Sequence, residues 1–133
     1  MATSPFGNEM LLAFAKTCIQ AEQLGQRDTP DLLTISFSSN DLVGHAWGPD
    51  SHEALDVTLR ADAVMADLLR FLDARVGAGN YSVVLTADHG VSPTPEAAAA
   101  AGKDAKRASP KPMILAAERF LQETFGKPPG NDP

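Results

Sequence analysis

The sequence predicts an α/β fold, a parallel βαβ core with flanking helices. Three observations point to it. Two short apolar runs rich in β-branched residues, 32–37 and 81–87, are bounded by turn residues, as strands are. Between them lies a long amphipathic stretch, residues 51–76, with apolar side chains at helical spacing. The joints are short, so the two strands are expected to be parallel with a right-handed crossover.

The elements follow in order. Residues 9–24 read as a first helix, with Leu11, Leu12, Ala15, Ile19 and Leu24 near helical spacing, Asn8 as N-cap, Glu9 in the first turn and Gly25 at the end. After the polar stretch 26–31 comes the strand Leu32 to Phe37, and then a loop over residues 38–49. Asp50 offers a cap for the long helix, with Glu53 completing a variant capping box. Val57, Val64, Leu68 and Leu72 lie on its apolar stripe and are expected against the sheet. The second strand, Tyr81 to Ala87, is nearly all apolar, so Val83, Val84 and Leu85 are expected to be covered on both faces. Thr94 and Pro95 open an alanine-rich helix that Gly102 closes. A basic loop, residues 103–112, leads to a last amphipathic helix, 113–125. This gives one domain over residues 1–126 and a Pro/Gly-rich tail, 127–133, expected to be disordered.

Composition excludes several classes. A chain of 133 residues with 44% hydrophobic content can bury a core, and a net charge of -6 argues against affinity for nucleic acid or an anionic membrane. One Trp and one Tyr make a poor base-stacking surface. No apolar run approaches the ~20 residues needed to span a bilayer. Residues 1–10 show no basic region followed by a long apolar stretch, so no signal peptide is visible and the compartment is left open. The single cysteine, Cys18, sits among apolar residues at helical spacing and is assigned to the core.

Two clusters carry ligand chemistry. Asp41 and His45 share the loop after the first strand, and Asp88 and His89 follow the second directly. Carboxylate and imidazole together suit zinc and similar divalent ions. Both clusters fall at the carboxyl ends of the expected strands, where parallel α/β sheets bind ligands. Neighbouring strands would allow two metals ~4 Å apart, the separation used in phosphoryl chemistry. A plainer reading stands beside this one. Asp41 could simply form an Asx-turn after Asn40, and Asp-His-Gly alone is a weak tripeptide. Two of the three histidines, each beside an aspartate at one edge of one unit, make the metal reading harder to dismiss.

Residues 39–51, SNDLVGHAWGPDS, resemble the Asp-x-x-Gly-His-x-x-Gly-Pro motif of the alkaline phosphatase superfamily. More narrowly they are similar to its type I phosphodiesterase/nucleotide pyrophosphatase branch and bacterial phosphatase relatives. Residues 71–90, ending in Thr-Ala-Asp88-His89-Gly90, resemble the second metal segment of that group, and residues 4–9, SPFGNE, the segment preceding these motifs. The resemblance covers roughly residues 4–96. It implies that the fold is part of a larger three-layer sandwich and that the chain is an internal or C-terminal segment of a catalytic domain. It implies two divalent metal ions, zinc, with Asp41 and His45 on one and Asp88 and His89 on the other. The implied activity is hydrolysis of phosphate monoesters or diesters through a covalent phospho-enzyme. The implied partners are a small phosphoester and the rest of its own catalytic domain, and relatives are usually periplasmic or secreted.

Three departures from the family pattern shape the expectation. No histidine follows His89 to serve as the third ligand of the first metal, and no Ser or Thr before residue 32 sits on a strand-to-helix turn as a nucleophile. Asp28 and Asp31 fall at the wrong end of the first strand. The rival reading is therefore a catalytically inactive metal-binding or structural fragment. A second rival is another branch, such as a sulfatase or phosphoglycerate mutase. His52, Trp47, Thr86 and the basic group Lys103, Lys106, Arg107 and Lys111 are read as structural or solvated.

Overall fold

The computed structural model describes residues 2–127 and Gly130; the rest of the tail expected to be disordered lies outside the described residues. The chain divides into two compact units, Met1–Thr94 and Pro95–Pro133.

The first unit is built on two long helices. α1 spans Pro5–Ala21, with proline in its first turn, where the missing N–H costs nothing. It begins earlier than the apolar periodicity suggests, so Asn8 lies within it and is buried rather than capping it. α3 spans His52–Leu72 and ends in a single π-helical turn, Asp73–Gly77. Ser51, not Asp50, is its cap: the Ser51 Oγ accepts the N–H of Ala54 at 3.1 Å.

Leu12 and Ile19 of α1 meet Val64 and Leu68 of α3 to form the core, with Leu24, Ile35, Phe37, Phe71 and Leu72 packed around them. Val57, Val64 and Leu68 are buried, as the apolar stripe requires, and Leu72 is partly buried. Each such side chain contributes about 1.5–3 kcal/mol relative to exposure. Across the same seam Lys16 forms a 2.7 Å ion pair with Asp67 and lies over the Phe71 ring. Cys18 is half-buried on α1 rather than a core residue.

Between these helices lies α2, Ser39–Trp47, where the sequence suggested a loop. Gly44 costs a helix roughly 1 kcal/mol and hides the pattern, and packing on α1 and α3 compensates.

The βαβ expectation is overturned. Among the described residues there is no strand and no sheet, hence no parallel pair, no crossover and no sandwich layer. Residues 31–37 and 81–87 form no regular element, no backbone hydrogen bond joins them, and both line one open groove of about 910 Å³. The pattern of β-branched and apolar residues reports an extended backbone that favours apolar cover; it does not supply the neighbouring edge that makes a ladder. Without that cover Val83, Val84 and Leu85 are 49%, 90% and 79% exposed, opposite to the inaccessibility expected for them. Tyr81 anchors the second segment, its hydroxyl donating to the Asp73 carboxylate at 2.8 Å.

The second unit contains α4, Pro95–Ala100, and α5, Lys111–Phe125, whose first turn takes in Pro112. Met113, Ile114, Phe120 and Phe125 on α5 are exposed. No helix among the described residues is long and apolar enough to cross a membrane. Arg107 grips Glu96 with two hydrogen bonds, 2.8 and 2.9 Å, and this lowers the Glu96 carboxyl from its ordinary 4.5 to about 2. A depressed carboxyl stabilises above the unfolded value and loses that contribution as pH falls through the folded one. The ion pair should thus hold at pH 5 and fail between 4.5 and about 2. Carbon-detected NMR titration of the Glu96 carboxyl should show a midpoint near the low end, moving up toward 4.5 in Arg107→Gln.

Candidate metal centre

α2 brings the first two site residues together. Residues four apart share a helix face, so Asp41 and His45 are neighbours, with Asp41 Oδ1 3.1 Å from His45 Nε2. The second extended segment delivers His89 to the same point. Its Nε2 lies 3.3 Å from Asp41 Oδ1 and 3.4 Å from Asp88 Oδ2. The two imidazoles meet edge-on, with centroids 5.3 Å apart at 62°. One ligand atom from each of Asp41, His45 and His89 falls within 4.8 Å of the others.

Two glycines permit this approach. A Cβ on Gly44 would sit 3.3 Å from Val91 Cγ2, so the backbone of α2 rests almost directly on the residue two beyond His89. A Cβ on Gly48 would meet Thr94 Cγ2 at 2.9 Å, and its φ of +88° is one that side-chain-bearing residues rarely adopt. Both glycines of the Asp-x-x-Gly-His-x-x-Gly-Pro motif are thus contact points between the two ligand segments.

The electrostatics fit a cation. Asp41 Oδ1 is buried and accepts no hydrogen bond, although two imidazole nitrogens lie close by. A buried carboxylate oxygen left in that state is costly unless a positive charge faces it. On His89, Nδ1 donates to the carbonyl of Gly90 at 2.9 Å. In the neutral ring that bond leaves the lone pair on Nε2, the atom turned to the cluster, as in imidazoles that ligate metals. The same carbonyl bond is the main cause of a raised His89 pKa; the Asp88 charge adds to it, burial opposes it, and Asp41 adds a smaller part.

The side chains are grouped differently from the sequence-based pairs. Asp41, His45 and His89 converge, while Asp88 stands beside His89, outside that trio and mostly exposed. His52 is exposed at the start of α3, and Trp47 is 46% exposed at the end of α2. Asp31 accepts the Gly25 N–H at 2.8 Å and pairs with Arg27, away from the cluster. Sequence reasoning missed Asn8, whose side chain reaches the start of α2. Its place beside Leu12 and Ala15 on the buried face of α1 was the available signal.

One carboxylate and two imidazoles at the edge of a helical unit define a candidate divalent-metal centre. The sequence profile of the type I phosphodiesterase / nucleotide pyrophosphatase family matches residues 4–109. The chain belongs to that family. It is 48% identical over 95 residues to alkaline phosphatase PhoV of Synechococcus elongatus, a match covering 71% of this chain and 17% of the relative. It is 47% identical over 90 residues to alkaline phosphatase PafA of Elizabethkingia meningoseptica, covering 68% and 16%. The crystal structure of wild type alkaline phosphatase PafA superposes with a TM-score of 0.81 at 38% identity, over 94% of this chain and 24% of that one. The chain therefore spans about a sixth of the length of the curated relatives it matches.

Proposed function

We propose that this chain supplies the metal-binding half of a phosphoester hydrolase centre acting on phosphate monoesters or diesters. The observation that carries the reading is the convergence of Asp41, His45 and His89 around the buried Asp41 Oδ1. The similarity to alkaline phosphatases PhoV and PafA supports the reaction class.

Two divalent ions, zinc by the chemistry of the donors, would be held by Asp41 with His45 and by Asp88 with His89. When bound, such ions neutralise phosphoryl charge and activate an attacking oxygen. The chain's own residues prepare that site. Asp41 presents one buried carboxylate oxygen, Oδ1, toward both imidazoles. The Gly90 carbonyl holds the His89 ring with Nε2 turned inward. Gly44 and Gly48 keep the two segments in contact.

A binding half without turnover is favoured for the chain by itself. Catalytic zinc takes about three protein ligands plus an open position, and each proposed ion has two here. Calorimetric titration with zinc, run beside hydrolysis of p-nitrophenyl phosphate and its bis ester, tests the reading. Weak zinc binding without a burst of covalent phospho-enzyme is the expected result. Tight binding with robust turnover would show a complete centre and point to a hydroxyl such as Ser38 or Ser39; no zinc binding by folded protein would remove the metal centre.

A further inference from the structure

We propose that Asn8 is a positioning residue for the metal centre, acting through the start of α2; this rests on the reading that Asp41, His45 and His89 hold a metal. Asn8 lies on α1 and is 2% exposed, a burial that an amide side chain accepts only when its hydrogen bonds are made. Those bonds run to α2. Asn8 Oδ1 accepts the N–H of Ser39, the first residue of that helix, at 3.4 Å. Asn8 Nδ2 donates to Asn40 Oδ1 at 3.1 Å. Asn40 Nδ2 in turn donates to Thr58 Oγ1 of α3 at 3.4 Å, and the Thr58 hydroxyl donates to the Ala54 carbonyl at 2.7 Å.

The helix itself makes this link matter. The first N–H groups of a helix have no partner within it, and Ser38, in the capping position, makes no side-chain cap bond. An asparagine on another helix does that work from 31 residues away. A nine-residue helix containing a glycine is marginal alone, and its first turn is where it frays. Asp41 belongs to that turn, while His45 sits one turn further on. Fraying at Ser39 and Asn40 therefore separates Asp41 Oδ1 from both imidazoles and leaves the rest of the fold in place. Asn8 couples the α1–α3 scaffold to the geometry of the ligands without touching any of them.

Zinc titration calorimetry and the visible absorption spectrum of the cobalt(II)-loaded chain test the assignment. Asn8→Ala should weaken zinc binding about tenfold or more and alter the cobalt bands, which report ligand geometry. Asn8→Asp keeps an acceptor for the Ser39 N–H but loses the donor to Asn40 Oδ1, so it should recover only part of the affinity lost in Asn8→Ala. Leu68→Ala, which loosens the core but lies off α2, should lower the melting temperature and leave the affinity of the folded protein unchanged. An Asn8→Ala protein that melts earlier but binds both metals like the wild type would overturn the proposal. Should Asn8→Ala fail to fold by circular dichroism, Asn40→Ala probes the same link, and unchanged binding there overturns it equally. Absence of binding by the wild-type chain is a separate result: it overturns the metal centre itself, and the role of Asn8 with it.

Discussion

Replacing His45 and His89 together by alanine is expected to abolish zinc binding. The double variant removes both imidazoles that converge on Asp41 Oδ1 and leaves carboxylates alone, which hold zinc poorly at low concentration. The loss should be complete in calorimetry, while circular dichroism stays close to wild type, because both imidazoles are largely exposed and neither supports the core. Each single variant should weaken binding. A double variant that still binds zinc with wild-type affinity would mean that the metal sits elsewhere, and the convergence would then be a surface coincidence.

The second large effect is in the core. Leu68→Ala should cost about 2–5 kcal/mol, the usual range for a buried leucine whose surroundings close only partly around the gap. Leu68 meets Leu12, Ile19 and Val64 at the α1–α3 seam, with Phe71 and Leu72 beside it. These contacts join residues about fifty positions apart, so their loss should lower the melting temperature of the whole first unit. A melting curve identical to wild type would show that α3 is not packed on α1 in solution.

The candidate site residues stand out in the sequence because they obey local spacing. Asp41 and His45 are four apart, Asp88 and His89 are adjacent, and the two glycines between and after the first pair are explained by contacts with Val91 and Thr94. The stripe on α3 was equally plain, since Val57, Val64 and Leu68 follow helical periodicity. α2 was not legible, because Gly44 and the polar start Ser38-Ser39-Asn40-Asp41 read as a loop when packing is unknown. The sheet was misjudged for a related reason. Residues 32–37 and 81–87 have a strand's composition, and composition says nothing about whether a second edge lies alongside. The role of Asn8 was hidden by distance along the chain, for its partner backbone begins at Ser39.

The unpaired segments have a consequence for handling the protein. Tyr81 to Ala87, YSVVLTA, is seven residues with no charge, no proline and no glycine, and Val84 and Leu85 are almost fully open to solvent. Such a stretch is the composition that stacks into cross-β fibrils when its amides find identical neighbours. Natural proteins blunt edges of this kind with lysine, proline or a bulge, and none interrupts this one. The net charge of -6 opposes self-association through long-range repulsion, and salt screens that repulsion over about 8–10 Å at ordinary ionic strength. Colloidal stability is therefore expected to fall as ionic strength rises, with self-association through residues 81–87 read by light scattering across a salt series.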